Sequence, residues 1–102
     1  SCHVPAFRTP DRKRVALYSD LLLHDVGPEL ADVCGTSAGP SEYRTAPLWG
    51  LRYREALLHD GRAHSVPEAV ALHGGEASAA RDGFVRLSAA QRALLLRFLG
   101  SL

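Results

Sequence analysis

The chain has 102 residues, a formal net charge of +1 at pH 7, two cysteines and no methionine. That length makes one small domain, which buries a modest fraction of its surface and depends on a good core or a staple. The near-balanced charge gives no footprint for nucleic acid or an anionic surface, and no apolar run approaches the ~20 residues of a membrane-spanning helix.

The chain opens Ser1-Cys2-His3. A c-type haem is held by CxxCH, in which two cysteine sulfurs form thioethers and the adjacent histidine ligates iron. Cys2 and His3 fit the last two letters of that motif, which places the first cysteine two residues ahead of Ser1, outside this sequence. The bland alternative is a surface histidine beside a free thiol. A Cys-His nucleophilic pair is a poorer reading, because no orienting residue or oxyanion motif accompanies it. The triplet Arg12-Lys13-Arg14 reads as solvated loop.

Prolines at positions 5, 10, 28, 40 and 47 break any long helix in the first half, which is expected to be loop with short helical turns. Leu21, Leu22 and Leu23 form a compact apolar cluster before a Gly-Pro stop. The stretch from Cys34 to Ser41 reads as a surface loop. Cys34 is expected there without a catalytic role and, given its different setting, unpaired with Cys2.

In the second half, Ser65-Val66-Pro67-Glu68 has a capping serine with glutamate three residues on and an early proline, predicting a helix to about His73 that Gly74-Gly75 ends. A short helix follows between Glu76 and Arg86. The last begins at Ser88, with Gln91 reaching back to the cap, and Gly100 closes it. Its stripe of Leu94, Leu95 and Phe98 needs a partner. That partner is a helix preceding Cys2, the helix from Ser65 through Val66, Ala69, Val70 and Leu72, or both. No alternating strand of useful length is visible. The expected class is therefore all-α, loop-rich in its first half.

Four stretches together carry a resemblance: "YSDLLLHDVGPELAD" (Tyr18 to Asp32), "YRTAPLWGL" (Tyr43 to Leu51), "LLHDGRAHSVPEAVALHGGEA" (Leu57 to Ala77) and the ending "LSAAQRALLLRFLGSL". In this order they resemble the C-terminal haem domain of bacterial di-haem oxidoreductases, the thiol oxidoreductase or di-haem peroxidase family within the di-haem cytochrome c peroxidase superfamily. The resemblance implies a partial C-terminal cytochrome c-like domain over residues 1–102, cut inside its CxxCH and lacking its N-terminal helix. It implies one haem c here, with Cys2 as thioether anchor and His3 as proximal iron ligand. A second haem belongs to a missing N-terminal domain of the same chain. An electron-donor protein or small reductant and a periplasmic or otherwise exported location are expected with it.

In related peroxidases a methionine just before a His-Asp-Gly turn ligates iron on the far side. Leu58 stands at that position and cannot coordinate a metal. The sixth ligand is then a different residue, a molecule from solvent, or nothing; the residues to weigh are His59, beside it, and His24, whose counterpart in relatives resembles a pocket-lining residue. His73 is expected to close a helix end, where a cationic ring is favourable, and His64 to be exposed. Trp49 and Tyr43 are expected to pack near the porphyrin. Arg44 and Arg62 are candidates for the propionates. Asp25 and Asp60, each following a histidine, are expected to orient that ring. The function implied is haem binding and electron transfer within a di-haem oxidoreductase with peroxidase activity. The alternatives are a single-haem electron-carrier cytochrome and a haem-free helical interaction module.

Overall fold

A computed structural model describes residues 1–32 and 38–102; the expectations for Cys34 and its loop lie largely outside the described residues. Among the described residues, the first half contains four short strands. β1 (Phe7–Arg8) pairs antiparallel with β2 (Arg14–Val15), and β3 (Leu23–Asp25) with β4 (Glu42–Arg44). The second half contains α1 (Val66–Leu72), α2 (Ser78–Arg86) and α3 (Ala89–Leu99). The class is thus α+β, which corrects the all-α expectation. The prolines exclude a long helix, as read, and leave 3-10 turns at Pro28–Leu30 and Leu51–Tyr53, but part of the freed backbone pairs as two small ladders rather than remaining loop. In β3 and β4 the inward residues are His24 and Tyr43, which face each other in register. Strands of two or three residues are too short to display a period of two in sequence.

The helix ends follow the local chemistry closely. Ser65 Oγ accepts from the Glu68 amide at 3.3 Å, and Glu68 reaches back one residue further than a standard capping box, to the His64 amide at 2.8 Å. At α3 the box is complete: Ser88 Oγ takes the Gln91 amide and Gln91 Oε1 takes the Ser88 amide. Gly100 follows as cap, in right-handed conformation. Between α1 and α2, Gly75 has φ +51° and opens a 3-10 turn, Gly75–Ala77. A Cβ at Gly75 would strike the Asp25 carbonyl oxygen and lie 2.8 Å from the Gly27 amide nitrogen. Glycine is needed here because this turn backs directly onto the end of β3.

Among the described residues, only Leu30, Ala63 and Ala69 form a buried apolar core. Accessible surface totals 7011 Å², about a quarter above the roughly 5,600 Å² typical of a folded chain of this mass. The apolar side chains are arranged around a hollow instead of closing on one another. Leu95 and Leu99 of α3 line it together with Val66, Ala69 and Val70 of α1. The two apolar faces therefore meet at a shared cavity. Leu94 points outward, 65% exposed, and Phe98 makes an edge-on contact with the Tyr18 ring at 5.6 Å.

Candidate functional site

The hollow has a volume of about 800 Å³ and a mostly apolar lining. Cys2 and His3 stand on its wall, with His24, Tyr43, Leu58, His59 and His73. The opening residues are fixed by two bonds to the segment before β3. The Asp20 amide donates to the Cys2 carbonyl at 2.9 Å, and His3 Nδ1 lies 2.8 Å from the Tyr18 carbonyl oxygen. A carbonyl only accepts, so Nδ1 carries the proton and the neutral ring keeps its lone pair on Nε2. Tyr18 is held at φ +54°, a left-handed conformation costing about 1–2 kcal/mol in an L-residue.

The next residues build a local scaffold from short polar side chains. Ser19, fully buried, donates to the Thr45 carbonyl at 2.7 Å and accepts from the Leu21 amide at 2.9 Å. Asp20 accepts from the Leu22 amide at 3.0 Å. Such side-chain bonds to backbone two residues on replace the ladder that a regular strand would supply.

His24 is held from both sides. Its Nε2 lies 2.8 Å from Asp20 Oδ2 and its Nδ1 2.9 Å from Glu76 Oε2. Two ionised carboxylates can only accept, so the geometry calls for an imidazolium donating twice. The bond to Glu76, then that to Asp20, raises the His24 pKa. Burial would raise the Asp20 carboxyl, but the Leu22 amide and the His24 ring outweigh it and bring it to about 2. Glu76 is lowered by His24 and by the Asp25 amide, which donates to it at 3.0 Å. A ring with both nitrogens committed has no lone pair for iron. His24 thus lines the hollow, as its likeness to a pocket-lining residue suggested, and neither Asp20 nor Glu76 was visible beforehand as its partner.

The turn from Leu57 to Ala63 is pinched shut by the Leu57 amide bond to the Ala63 carbonyl at 2.8 Å. Leu58 takes φ +71° within it and faces the hollow. His59 stacks on the Tyr43 ring at 4.4 Å, with Nε2 3.3 Å from the Tyr43 hydroxyl and 3.6 Å from Asp32. Tyr43 in turn donates to the Leu30 carbonyl at 2.7 Å. His73 has Nδ1 2.6 Å from the Ala69 carbonyl oxygen, closing α1 as expected. His64 is exposed and lies away from the hollow's wall.

Several pairings differ from the sequence reading. Asp25 bonds the Gly27 amide at 2.7 Å, so it does not orient His24; Asp60 holds Arg62, so it does not orient His59. Arg62 also donates to the Glu29 carbonyl at 2.8 Å and does not line the hollow, whereas Arg44 does. Trp49 lies off the wall and donates its indole N–H to the Ala16 carbonyl.

Cys2, Asp20 and His24 place ligand atoms within 4.8 Å of one another. The His24 nitrogens are spent, however, and burial followed by the Asp20 charge raises the Cys2 thiol pKa. Both effects oppose a thiolate site for a free cation. Among the described residues, no helix is long and apolar enough to cross a membrane. Residues 2–102 match the protein family described as "di-haem oxidoreductase, putative peroxidase". No curated protein and no solved structure matches the chain.

Proposed function

This chain belongs to the di-haem oxidoreductase family, and we propose that it is the C-terminal unit of its parent protein, holding one haem c and relaying electrons. In this reading Cys2 is a thioether anchor and His3 the proximal iron ligand. The observation that carries it is the His3 ring, which faces the hollow with its Nδ1 proton given to the Tyr18 carbonyl at 2.8 Å. That bond selects the tautomer with Nε2 free and fixes the ring plane, as partners of metal-bound imidazoles do.

The hollow fits the group. About 800 Å³ lies in the upper part of the range of ordinary ligand sites, roughly 300–1,000 Å³, and an apolar lining suits a porphyrin face. When bound, the haem supplies a one-electron couple whose potential depends on axial ligands, burial and hydrogen bonds. The chain's residues do the rest. Cys2, tied to Asp20 through its carbonyl, would hold one edge in place. Val66, Ala69 and Val70 of α1 with Leu95 and Leu99 of α3 would give the porphyrin an apolar wall. The clamp of Asp20, His24 and Glu76 locks the β3 segment to the turn before α2.

Covalent attachment of this kind belongs to an exported, periplasmic protein, with a second haem in an N-terminal domain of the same chain. The electron partner is a donor protein or small reductant. The test is a chain extended upstream through the proposed first cysteine and produced with c-haem maturation machinery. It should show a Soret band and a pyridine haemochrome of one covalent haem, lost in the Cys2→Ser and His3→Gly variants. A colourless product would refute the reading and leave a haem-free helical module.

A further inference from the structure

The reading above gives the iron one ligand, and Leu58, at the position where relatives carry methionine, cannot be the second. We propose that His73 is the second axial ligand of the same haem, so that iron is held between two imidazoles. This rests on the assignment of His3 and adds a ligand that the family resemblance does not supply.

The histidines on the wall of the hollow differ in what their nitrogens are doing. His24 has both engaged by carboxylates, at 2.8 and 2.9 Å. His59 has Nε2 beside the Tyr43 hydroxyl and Asp32, and its ring is stacked on Tyr43. His64 is not on the wall. His64 Nδ1 also lies near a backbone carbonyl, that of Glu55 at 3.4 Å, but of the histidines on the wall, His73 alone repeats the arrangement of His3. Its Nδ1 lies 2.6 Å from a backbone carbonyl oxygen, that of Ala69, so Nδ1 donates and the Nε2 lone pair is free.

Helical spacing also favours His73. Val66, Ala69, Val70 and His73 recur at intervals of three and four, and all four line the hollow. The imidazole, on the residue that caps α1, therefore continues the face that the helix turns toward the cavity. Both ends of that helix are pinned, by the Ser65 cap and by Gly74, whose amide donates to the Val26 carbonyl at 2.8 Å. A ligand at the cap of a short, doubly anchored helix is held more firmly than one on the Leu58 turn. Two imidazoles set a lower potential than an imidazole with a thioether, and they leave no position for an outside ligand. Such a centre passes electrons and does not bind substrate.

The experiment is electron paramagnetic resonance with potentiometry on the full-length haem-loaded protein, haem content being checked by pyridine haemochrome. The His3→Gly variant identifies the ferric signal of this haem by removing it. His73→Ala should convert that signal from low spin to high spin at unchanged haem content. His73→Met should keep it low spin, add the thioether-to-iron charge-transfer band and raise its potential. A wild-type signal that is already high spin overturns the proposal, as does one that His73→Ala leaves unchanged; in either case the His3 assignment survives. If His73→Ala fails to fold, His73→Met decides: methionine ligation supports the proposal and an unaltered two-imidazole signal overturns it. Absence of haem at Cys2 in the wild-type protein overturns both readings.

Discussion

Replacing Gly75 by alanine tests how the turn between α1 and α2 is seated against β3. The residue sits at φ +51°, and an added Cβ would strike the Asp25 carbonyl oxygen and approach the Gly27 nitrogen at 2.8 Å. Both obstacles are backbone and cannot swing aside. A left-handed L-residue costs about 1–2 kcal/mol and overpacking a further ~1–3 kcal/mol, giving roughly 2–5 kcal/mol in all. At about 4–8 °C per kcal/mol for a domain near this size, Tm should fall by about 8–40 °C. The control is Gly83→Ala in α2, where nothing lies within 4 Å of the new Cβ and helix propensity should add about 0.5–1 kcal/mol. Thermal unfolding followed by circular dichroism, at matched concentration and haem content, reads both. Equal melting temperatures for the two variants would refute the described packing of this turn. Because Glu76 is the next residue, Gly75→Ala should also loosen the His24 clamp and bring the His24 pKa back toward its ordinary value.

The clamp predicts a pH window. His24 is raised above its ordinary 6.5, so its contribution is complete below that pH and is lost as pH rises through the folded value. Glu76 and Asp20 are lowered from 4.5 and 3.8, so theirs is complete above those values and is lost as pH falls, toward about 2 for Asp20. The stability difference between wild type and His24→Gln, from urea titrations, should therefore be largest between about pH 4.5 and 6.5; a pH-independent difference would contradict the ionic description. Ser19→Ala removes a fully buried hydroxyl and leaves the Thr45 carbonyl and Leu21 amide without it, which should cost about 1–3 kcal/mol in the same assay; a neutral substitution would show that those groups find other partners.

What the sequence made legible was local. Ser65 and Ser88 start α1 and α3 because capping depends on residues three apart, and glycines at 74 and 75 mark the end of α1 because backbone freedom is written in the residue itself. The strands were illegible for a matching reason. Leu23–Asp25 and Glu42–Arg44 pair across many intervening residues, and neither is long enough to show alternation. The site divided along the same line. Cys2 and His3 are adjacent and could be read as a motif fragment, and both stand on the wall of the hollow. The partners of the histidines could not be read. Glu76 lies 52 residues from His24, and the neighbouring Asp25 and Asp60, the natural guesses, bond elsewhere. His73 was legible as a helix end; its place on the wall of the hollow depends on tertiary packing.

Attachment of haem through the opening residues is tested most directly by mass spectrometry of peptides from the full-length protein after acid-acetone extraction of loosely held porphyrin. The proposed anchorage predicts that the peptide containing Cys2 and His3 keeps a covalent haem through a second thioether to a cysteine two residues before Ser1. An unmodified Cys2, recovered as a free thiol from protein that has passed through c-haem maturation, would contradict it.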